Sequence, residues 1–354
     1  MSSWYEGACD EPVLVIPVRN DQDRLCRVLR QAAGLGIFDQ VVIVDDGSEP
    51  PAHADGCGFD TGPEEAQVVI LRQDSPAGAG AARNRAIAHV TTSHLLFFDS
   101  DDQLTRDLGA LWQELQGKPF DFCLFRHHDS RSQRRGIWGQ MALDNALWRQ
   151  AGAGHATLFT PARGALAALA ETANYPWNKI YRTGFLRDHP DVRCSPTPLH
   201  NDIRLHWMSF LHADTVLASD RVAAIHEVRE GGGRMTNRTS AERLCVFEPL
   251  TEVAAALADA PDAAGPPGLG DAFITFAAGL LDWVRSALDA AHHPALDQAT
   301  RAFWQTHMDP PLFDRISRRD PVLALRLCLQ MAGGDSAGDS GNNGGDDSRR
   351  ALTC

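Results

Sequence analysis

The chain has 354 residues, more than one typical domain and enough for one large α/β domain with additions. Its 46 acidic residues outnumber 33 basic ones, and the net charge of −13 argues against a nucleic-acid binder while leaving room for a small anionic ligand held by local cations or a metal. No apolar run approaches the roughly 20 residues of a membrane span, no signal-peptide core opens the chain, and the eight cysteines lack any Cys-x-x-Cys pair. The expectation is a cytoplasmic protein with reduced thiols and no structural zinc, peripheral membrane contact staying open.

Residues 1–11 are a polar lead-in. Val13-Leu14-Val15-Ile16 makes a first apolar run, stopped at Pro17 and followed by Arg19 and Asn20. Asp23, Leu25, Val28, Leu29 and Ala32 then follow helical spacing, ended by Gly34 and Gly36. A second run, Val41-Val42-Ile43-Val44, exits into Asp45-Asp46-Gly47-Ser48, and the Pro- and Gly-rich stretch 49–66 is a loop. A third, Val68-Val69-Ile70-Leu71, leads through Gly78 and Gly80 into a helical segment over 81–90. The fourth, Leu95-Leu96-Phe97-Phe98, runs straight into Asp99-Ser100-Asp101-Asp102.

Strand runs alternating with helical patterns imply a mostly parallel, Rossmann-like sheet with helices on both faces, whose ligands bind at the carboxyl ends of the strands. Every run here exits into polar residues, so one rim of the sheet is rich in carboxylates. Side chains two apart on an extended backbone point the same way, so Asp99 and Asp101 address one ligand together. Their hard oxygens suit Mg²⁺ or Mn²⁺ carrying a phosphate; a turn or a helix cap, the latter favoured for Asp102, is the plain alternative. A nicotinamide site is set aside because Pro17-Val18-Arg19-Asn20 has no glycine where the pyrophosphate must approach.

Val15-Ile16-Pro17-Val18-Arg19-Asn20, Val42-Ile43-Val44-Asp45-Asp46-Gly47-Ser48, Gly78-Ala79-Gly80-Ala81-Ala82-Arg83-Asn84 and Phe97-Phe98-Asp99-Ser100-Asp101-Asp102 occur in that order. Together they resemble the N-terminal half of family 2 glycosyltransferases with the GT-A fold, over residues 11–240. The resemblance implies a metal-dependent, inverting transfer from a nucleotide-diphosphate sugar, with UDP-sugar as the family prior. Asp45 would contact the base, Asp99 the ribose and Arg83 the base or phosphate region, with Pro17, Arg19, Asn20 and Ser100 lining the donor site. The metal, Mn²⁺ or Mg²⁺, would fall to Asp101, with Asp99 and His226 as further candidates. Arg19 stands where the family usually has an aromatic residue.

Further along, 104–115 reads as a helix and 120–125 as a strand, and 162–173 is Ala-rich and helical. His127-His128-Asp129 offers metal-ligand chemistry, but without partner spacing an exposed polar strand end is favoured. Tyr175-Pro176-Trp177-Asn178-Lys179 serves equally as a packing anchor or, by resemblance to members that build surface polysaccharides, as the acceptor side. Leu199-His200-Asn201-Asp202 precedes a helical pattern, so Asp202 is either a helix-start charge or, by the same resemblance, the general base. The family has Glu where Asn201 stands, and His200 and Asn201 join the acceptor-side candidates. Residues 216–218 and 222–225 read as a short strand pair ending at His226, either a hydrogen-bonded histidine or a metal ligand. Gly231-Gly232-Gly233 beside Arg229 and Arg234 suggests a loop able to close over a diphosphate.

Beyond 240 the resemblance ends: residues 241–332 are read as a helical extension, and the Gly-Asp-Ser tail 333–354 as disordered. The acceptor expected is a glycan or glycolipid of a cell-surface polysaccharide. A nucleotide-sugar-binding scaffold and, less favoured, a sugar nucleotidyltransferase are the competing functions; the second would need a Gly-rich basic loop after the first strand.

Overall fold

The structure, a computed structural model, describes residues 11–59, 67–133, 136–154, 157–228, 238–261 and 264–332. The polar lead-in, the triple-glycine loop and the C-terminal tail lie outside them. The strands are β1 (Val13–Val18), β2 (Gln40–Asp45), β3 (Gln67–Arg72), β4 (His94–Phe97), β5 (Gln103–Leu104), β6 (Phe122–Asp129), β7 (Leu158–Phe159), β8 (Lys179–Arg182) and β9 (Val216–His226). They form one sheet in the order β3-β2-β1-β4-β8-β6-β9-β5, with β7 also paired to β9.

The first four strands are parallel, as the alternating pattern requires. The sheet then turns mixed: β8 runs antiparallel between β4 and β6, while β6 and β9 are parallel to each other. The carboxyl ends of β1, β2, β4, β6 and β9 therefore share one rim with the start of β8. That geometry brings Asn20, Asp45, Asp99, Asp129, His226 and the Pro176-Trp177-Asn178 turn to the same edge of the sheet.

Alternation along each strand divides the core. Val13 and Val15 belong to one apolar cluster and Leu14 and Ile16 to the other, on opposite faces of the sheet. The helices before the extension are α1 (Gln22–Leu35), α2 (Ala79–Ile87), α3 (Arg106–Leu115), α4 (Ser130–Gln133), α5 (Ala142–Gln150), α6 (Leu166–Ala170), α7 (Thr183–Asp188) and α8 (Asp202–His212). Leu25, Val28 and Leu29 of α1 and Leu108, Leu111 and Trp112 of α3 cover one face. The other face is covered by α2 and α8.

The extension folds into α9 (Phe247–Asp259), α10 (Leu269–Ala287), α11 (His293–His307), α12 (Pro310–Arg319) and α13 (Pro321–Ala332). Its apolar side chains continue the cluster around α8: Trp207 packs against Phe273 and Phe276 of α10 at 5.1 and 5.2 Å between ring centroids.

Several expectations are corrected. β3 is the edge strand, so Val68-Val69-Ile70-Leu71 is only partly covered. β9 is one continuous strand rather than a pair, because a bulge between the partners of Phe125 and Arg126 absorbs Asp220 and Arg221. His127, His128 and Asp129 are buried, not an exposed strand end, because β6 lies inside the sheet between β8 and β9. The cysteines are not all reduced: Cys26 of α1 and Cys57 form a disulfide. Their separation of 31 residues carries no motif; only the folding of the 46–58 turn onto α1 brings them together.

Candidate active site

Asp45 and Asp46 both turn inward at the end of β2. Asp45 accepts from the backbone N–H groups of Ser48 (2.8 Å) and Ala52 (3.1 Å) and from Arg72 Nη1 (2.5 Å). Burial alone would raise its pKa, but these donors outweigh that and hold its carboxyl below the usual range. Asp46 accepts from the N–H groups of Ala77 (2.6 Å) and Gly78 (2.9 Å), tying the start of α2 to β2. Asn20 has φ +53°; its N–H donates to Ser48 Oγ and its Oδ1 accepts from Glu49 N. Between residues 20–23 and 48–53 lies a groove of about 300 Å³. Gln22 clamps its far wall through His53 O (2.8 Å) and His53 N (3.1 Å), beside the Cys26–Cys57 bridge. Pro17 is buried in β1, whereas Arg19 is exposed at the strand exit.

After β4, the carboxylates of Asp99, Asp101 and Asp102 converge so that one oxygen of each lies within 4.8 Å of the others. Ser100 Oγ donates to Asp21 (3.1 Å) across the rim. Asp102 is not a helix cap. It is fully buried, accepting from His226 Nδ1 at 3.0 Å and from Glu227 N at 3.0 Å, because β9 ends directly behind it. Burial pulls the pKa of His226 down, yet the charge of Asp102 and its hydrogen bond win, and the imidazole titrates above its ordinary value. His226 thus reaches the carboxylate group through Asp102, while its Nε2 is buried with no hydrogen-bond partner among the described residues.

Arg83 joins two stretches far apart in sequence. Its Nη2 donates to Asp99 Oδ1 at 2.5 Å and its Nη1 to Asn201 Oδ1 at 3.0 Å. Asn84, its neighbour on α2, exchanges two hydrogen bonds with the backbone of Cys194, at 2.8 and 2.9 Å. Ser195 N donates to Asn201 O, closing the turn that begins α8. Gly80 makes the approach feasible: a Cβ there would sit 2.7 Å from Ser195 O and 2.8 Å from Asn201 Cβ.

Asp202 opens α8 and is half-buried. Desolvation pushes its carboxyl up to about 6 even though Arg83 and Lys179 pull the other way. Lys179 is buried and lowered to about 7 by desolvation; its ammonium donates to Tyr175 O (2.7 Å) and Asn178 Oδ1 (2.8 Å). Trp177 is buried as well, stacked on Tyr175 at 4.4 Å and on His226 at 5.4 Å. Trp177, Asn178 and Lys179 therefore lie beneath the rim. His200 is buried with φ +58°, its pKa pushed down to about 3 by burial, and its ring meets Trp283 edge-on at 6.0 Å.

With this geometry in place, comparison with known proteins is decisive. Residues 13–188 match the family described as Glycosyl transferase family 2. The chain belongs to glycosyltransferase family 2. Its structure is similar to that of S. aureus TarS residues 1–349 in complex with UDP-GlcNAc, with a TM-score of 0.67 at 17% identity over 91% of this chain and 88% of that one. The mannosyltransferase PcManGT from Pyrobaculum calidifontis, in complex with GDP-Man and Mn²⁺, gives a TM-score of 0.51 at 14% identity over 94% and 90% of the two chains. An 88-residue stretch, 25% of this chain, is 36% identical to the pre-mycofactocin glycosyltransferase of Mycobacterium tuberculosis and covers only 17% of that protein's length.

The candidate site of this family 2 glycosyltransferase includes residues that the sequence pattern did not expose. Gly80 read only as a helix start, yet it sets the distance between α2 and the turn before α8. Trp283, under His200, sits in the extension; Arg243 lies 4.5 Å above its ring. Asp102 and His226 were visible singly, but their pairing across 124 residues was not. Among the described residues no helix is long and apolar enough to cross a membrane.

Proposed function

We propose that this enzyme transfers a sugar from a nucleotide-diphosphate donor, a UDP-sugar in the first instance, to a hydroxyl of a glycan or lipid-linked acceptor. The observation that carries the reading is the convergence of Asp99, Arg83, Asn201 and Asp202, in which a guanidinium links the donor-side carboxylate to the turn bearing a half-buried carboxylate with a pKa of about 6.

An acceptor hydroxyl has a pKa far above neutral and must lose its proton as it attacks. Asp202 is ionised at pH 7–8, and its raised pKa makes it a better base than an ordinary aspartate. Arg83 fixes the distance between Asp202 and the donor carboxylates from both sides. The groove beside residues 48–53 accommodates the base of the donor, and Asp45 shapes its floor by holding Ser48 and Ala52. A base on the side opposite the leaving group gives single displacement and inversion at the anomeric carbon. TarS with UDP-GlcNAc and PcManGT with GDP-Man support the donor class.

The all-oxygen set of Asp99, Asp101 and Asp102 fits a hard divalent ion, Mn²⁺ or Mg²⁺. When bound, such an ion neutralises charge developing on the departing diphosphate as a Lewis acid. His226 orients Asp102 from behind. Trp177, Asn178 and Lys179 support the acceptor side from underneath.

The test is release of UDP from UDP-N-acetylglucosamine and UDP-glucose, with and without Mn²⁺, for the parent, Asp101→Ala and Asp202→Asn. A donor-induced rise in melting temperature and loss of turnover in both variants are expected. Variants indistinguishable from the parent would sink the mechanism; donor binding with no turnover under any condition would leave a binding role.

A further inference from the structure

Helix α8 carries Asp202 in its first turn and His212 in its last. At 1.5 Å per residue its length of 11 residues separates the two ends by about 16 Å, placing His212 away from the donor rim. There His212 meets His189 and Asp191, which follow α7. His212 Nε2 lies 2.5 Å from Asp191 Oδ2, and the His189 and His212 rings stack with centroids 4.7 Å apart at 24°. One donor atom from each of the three residues falls within 4.8 Å of the other two. All three are partly exposed, so the cluster opens to solvent.

We propose that His189, Asp191 and His212 form a second metal site, for a borderline divalent ion such as Zn²⁺. Two imidazole nitrogens and one carboxylate oxygen make a donor set that favours Zn²⁺ over the hard ions suited to Asp99, Asp101 and Asp102. Zn–N and Zn–O bonds of about 2.0–2.2 Å place tetrahedral ligand atoms roughly 3.3 Å apart. The His212–Asp191 pair, at 2.5 Å, is closer than that value, and no donor pair of the three residues exceeds 4.8 Å, so the ligand atoms are already gathered around one point. The backbone is already fixed for the purpose. His189 N donates to Phe185 O (3.1 Å), Val192 N to His189 O (3.0 Å), and Arg204 Nε to Asp191 O (3.2 Å). The fourth position faces water.

An ion held there fastens both ends of the segment 189–212. That segment carries Cys194 and Ser195 against α2 and presents Asn201 and Asp202 to the donor rim. The role is one of positioning and stability, since the ion sits a helix length from Asp202.

The test uses the full chain, free of any histidine tag and stripped of metal, titrated with Zn²⁺ in competition with a chromophoric chelator and, separately, with Co²⁺. The expected result is one equivalent of Zn²⁺ that raises the melting temperature, and visible Co²⁺ bands of a four-coordinate site. His189→Gln and His212→Gln are expected to weaken Zn²⁺ at least tenfold, while Asp101→Ala retains it. X-ray absorption of the Zn²⁺-loaded parent gives a readout independent of any variant and is expected to show two imidazole ligands. Absence of saturable Zn²⁺ binding, a spectrum without imidazole, or binding unchanged in both histidine variants overturns the proposal and leaves an ordinary His–Asp ion pair. UDP release by the same preparation is scored separately, so failure of this site and failure of the transferase reading are distinguishable.

Discussion

Asp202→Asn separates chemistry from architecture, because asparagine keeps the shape of the side chain and removes only its ability to take a proton. The carboxyl sits about 2 units above an ordinary aspartate, which at 1.36 kcal/mol per unit corresponds to a folded-state cost of charge on the order of 2–3 kcal/mol. The folded protein favours the protonated form, so this group's contribution to stability is greatest at low pH and is lost as pH rises through about 6. Asparagine never ionises, and the variant is therefore expected to be more stable than the parent at pH 8, with the gap closing toward pH 4. Its turnover is expected to fall by roughly 10²–10⁴-fold, the usual contribution of a general base. The parent's rate of UDP release should rise with pH through an inflection near 6, and the variant's residual rate should be flat there. Paired measurements are a pH–rate series and urea melts at pH 4, 6 and 8, with donor affinity by thermal shift as a control. A variant that keeps the acid limb, or that turns over nearly as fast as the parent, refutes Asp202 as the base.

Three other outcomes follow from the packing. Gly80→Ala forces a methyl group to 2.7 Å from Ser195 O, so overpacking of about 1–3 kcal/mol is expected together with slower UDP release, read by thermal melts and turnover. Asp102→Ala strips His226 and Glu227 N of their acceptor, with a loss of about 3 kcal/mol typical of a broken buried pair. Because the folded pKa of His226 is raised, the stability due to this pair is fully present below its unfolded value and lost as pH rises through the folded one; urea melts should show a larger defect at pH 6 than at pH 9. Trp177→Ala removes a buried ring that stacks on both Tyr175 and His226 in a three-ring cluster and should cost about 3–5 kcal/mol in a denaturant melt, more than any effect on donor affinity alone would explain.

The rim that carries the proposed donor half of the site was legible because each parallel strand is an uninterrupted apolar run, and the polar residue that ends it marks the rim. Asp45, Asp99 and Asp101 stand out against Val41-Val42-Ile43-Val44 and Leu95-Leu96-Phe97-Phe98 on that ground alone. The second half was harder, since β8 enters the sheet antiparallel between β4 and β6, and no local pattern announces which strands it joins. His127, His128 and Asp129 looked exposed because polar residues at a strand end usually are. They are buried because β6 is flanked on both sides and Tyr175 and Trp177 close over His127, with ring centroids 5.2 and 5.1 Å away. Cys26 and Cys57 escaped for the same reason as Asp102 and His226: their proximity is a property of the fold.

The amide at position 201 sets the charge around Asp202, the proposed base. Arg83 faces two carboxylates, Asp99 by direct contact and Asp202 through the field between them, while its remaining hydrogen bond lands on a neutral oxygen. A glutamate in that place would accept the same hydrogen bond but add a third negative charge beside one guanidinium. That charge would raise the proton affinity of Asp202 further and repel an incoming diphosphate. Asn201 thus keeps the mechanical link between the two halves of the site without adding a negative charge to it. The acid limit of activity should accordingly lie lower in this enzyme than in an Asn201→Glu variant of it.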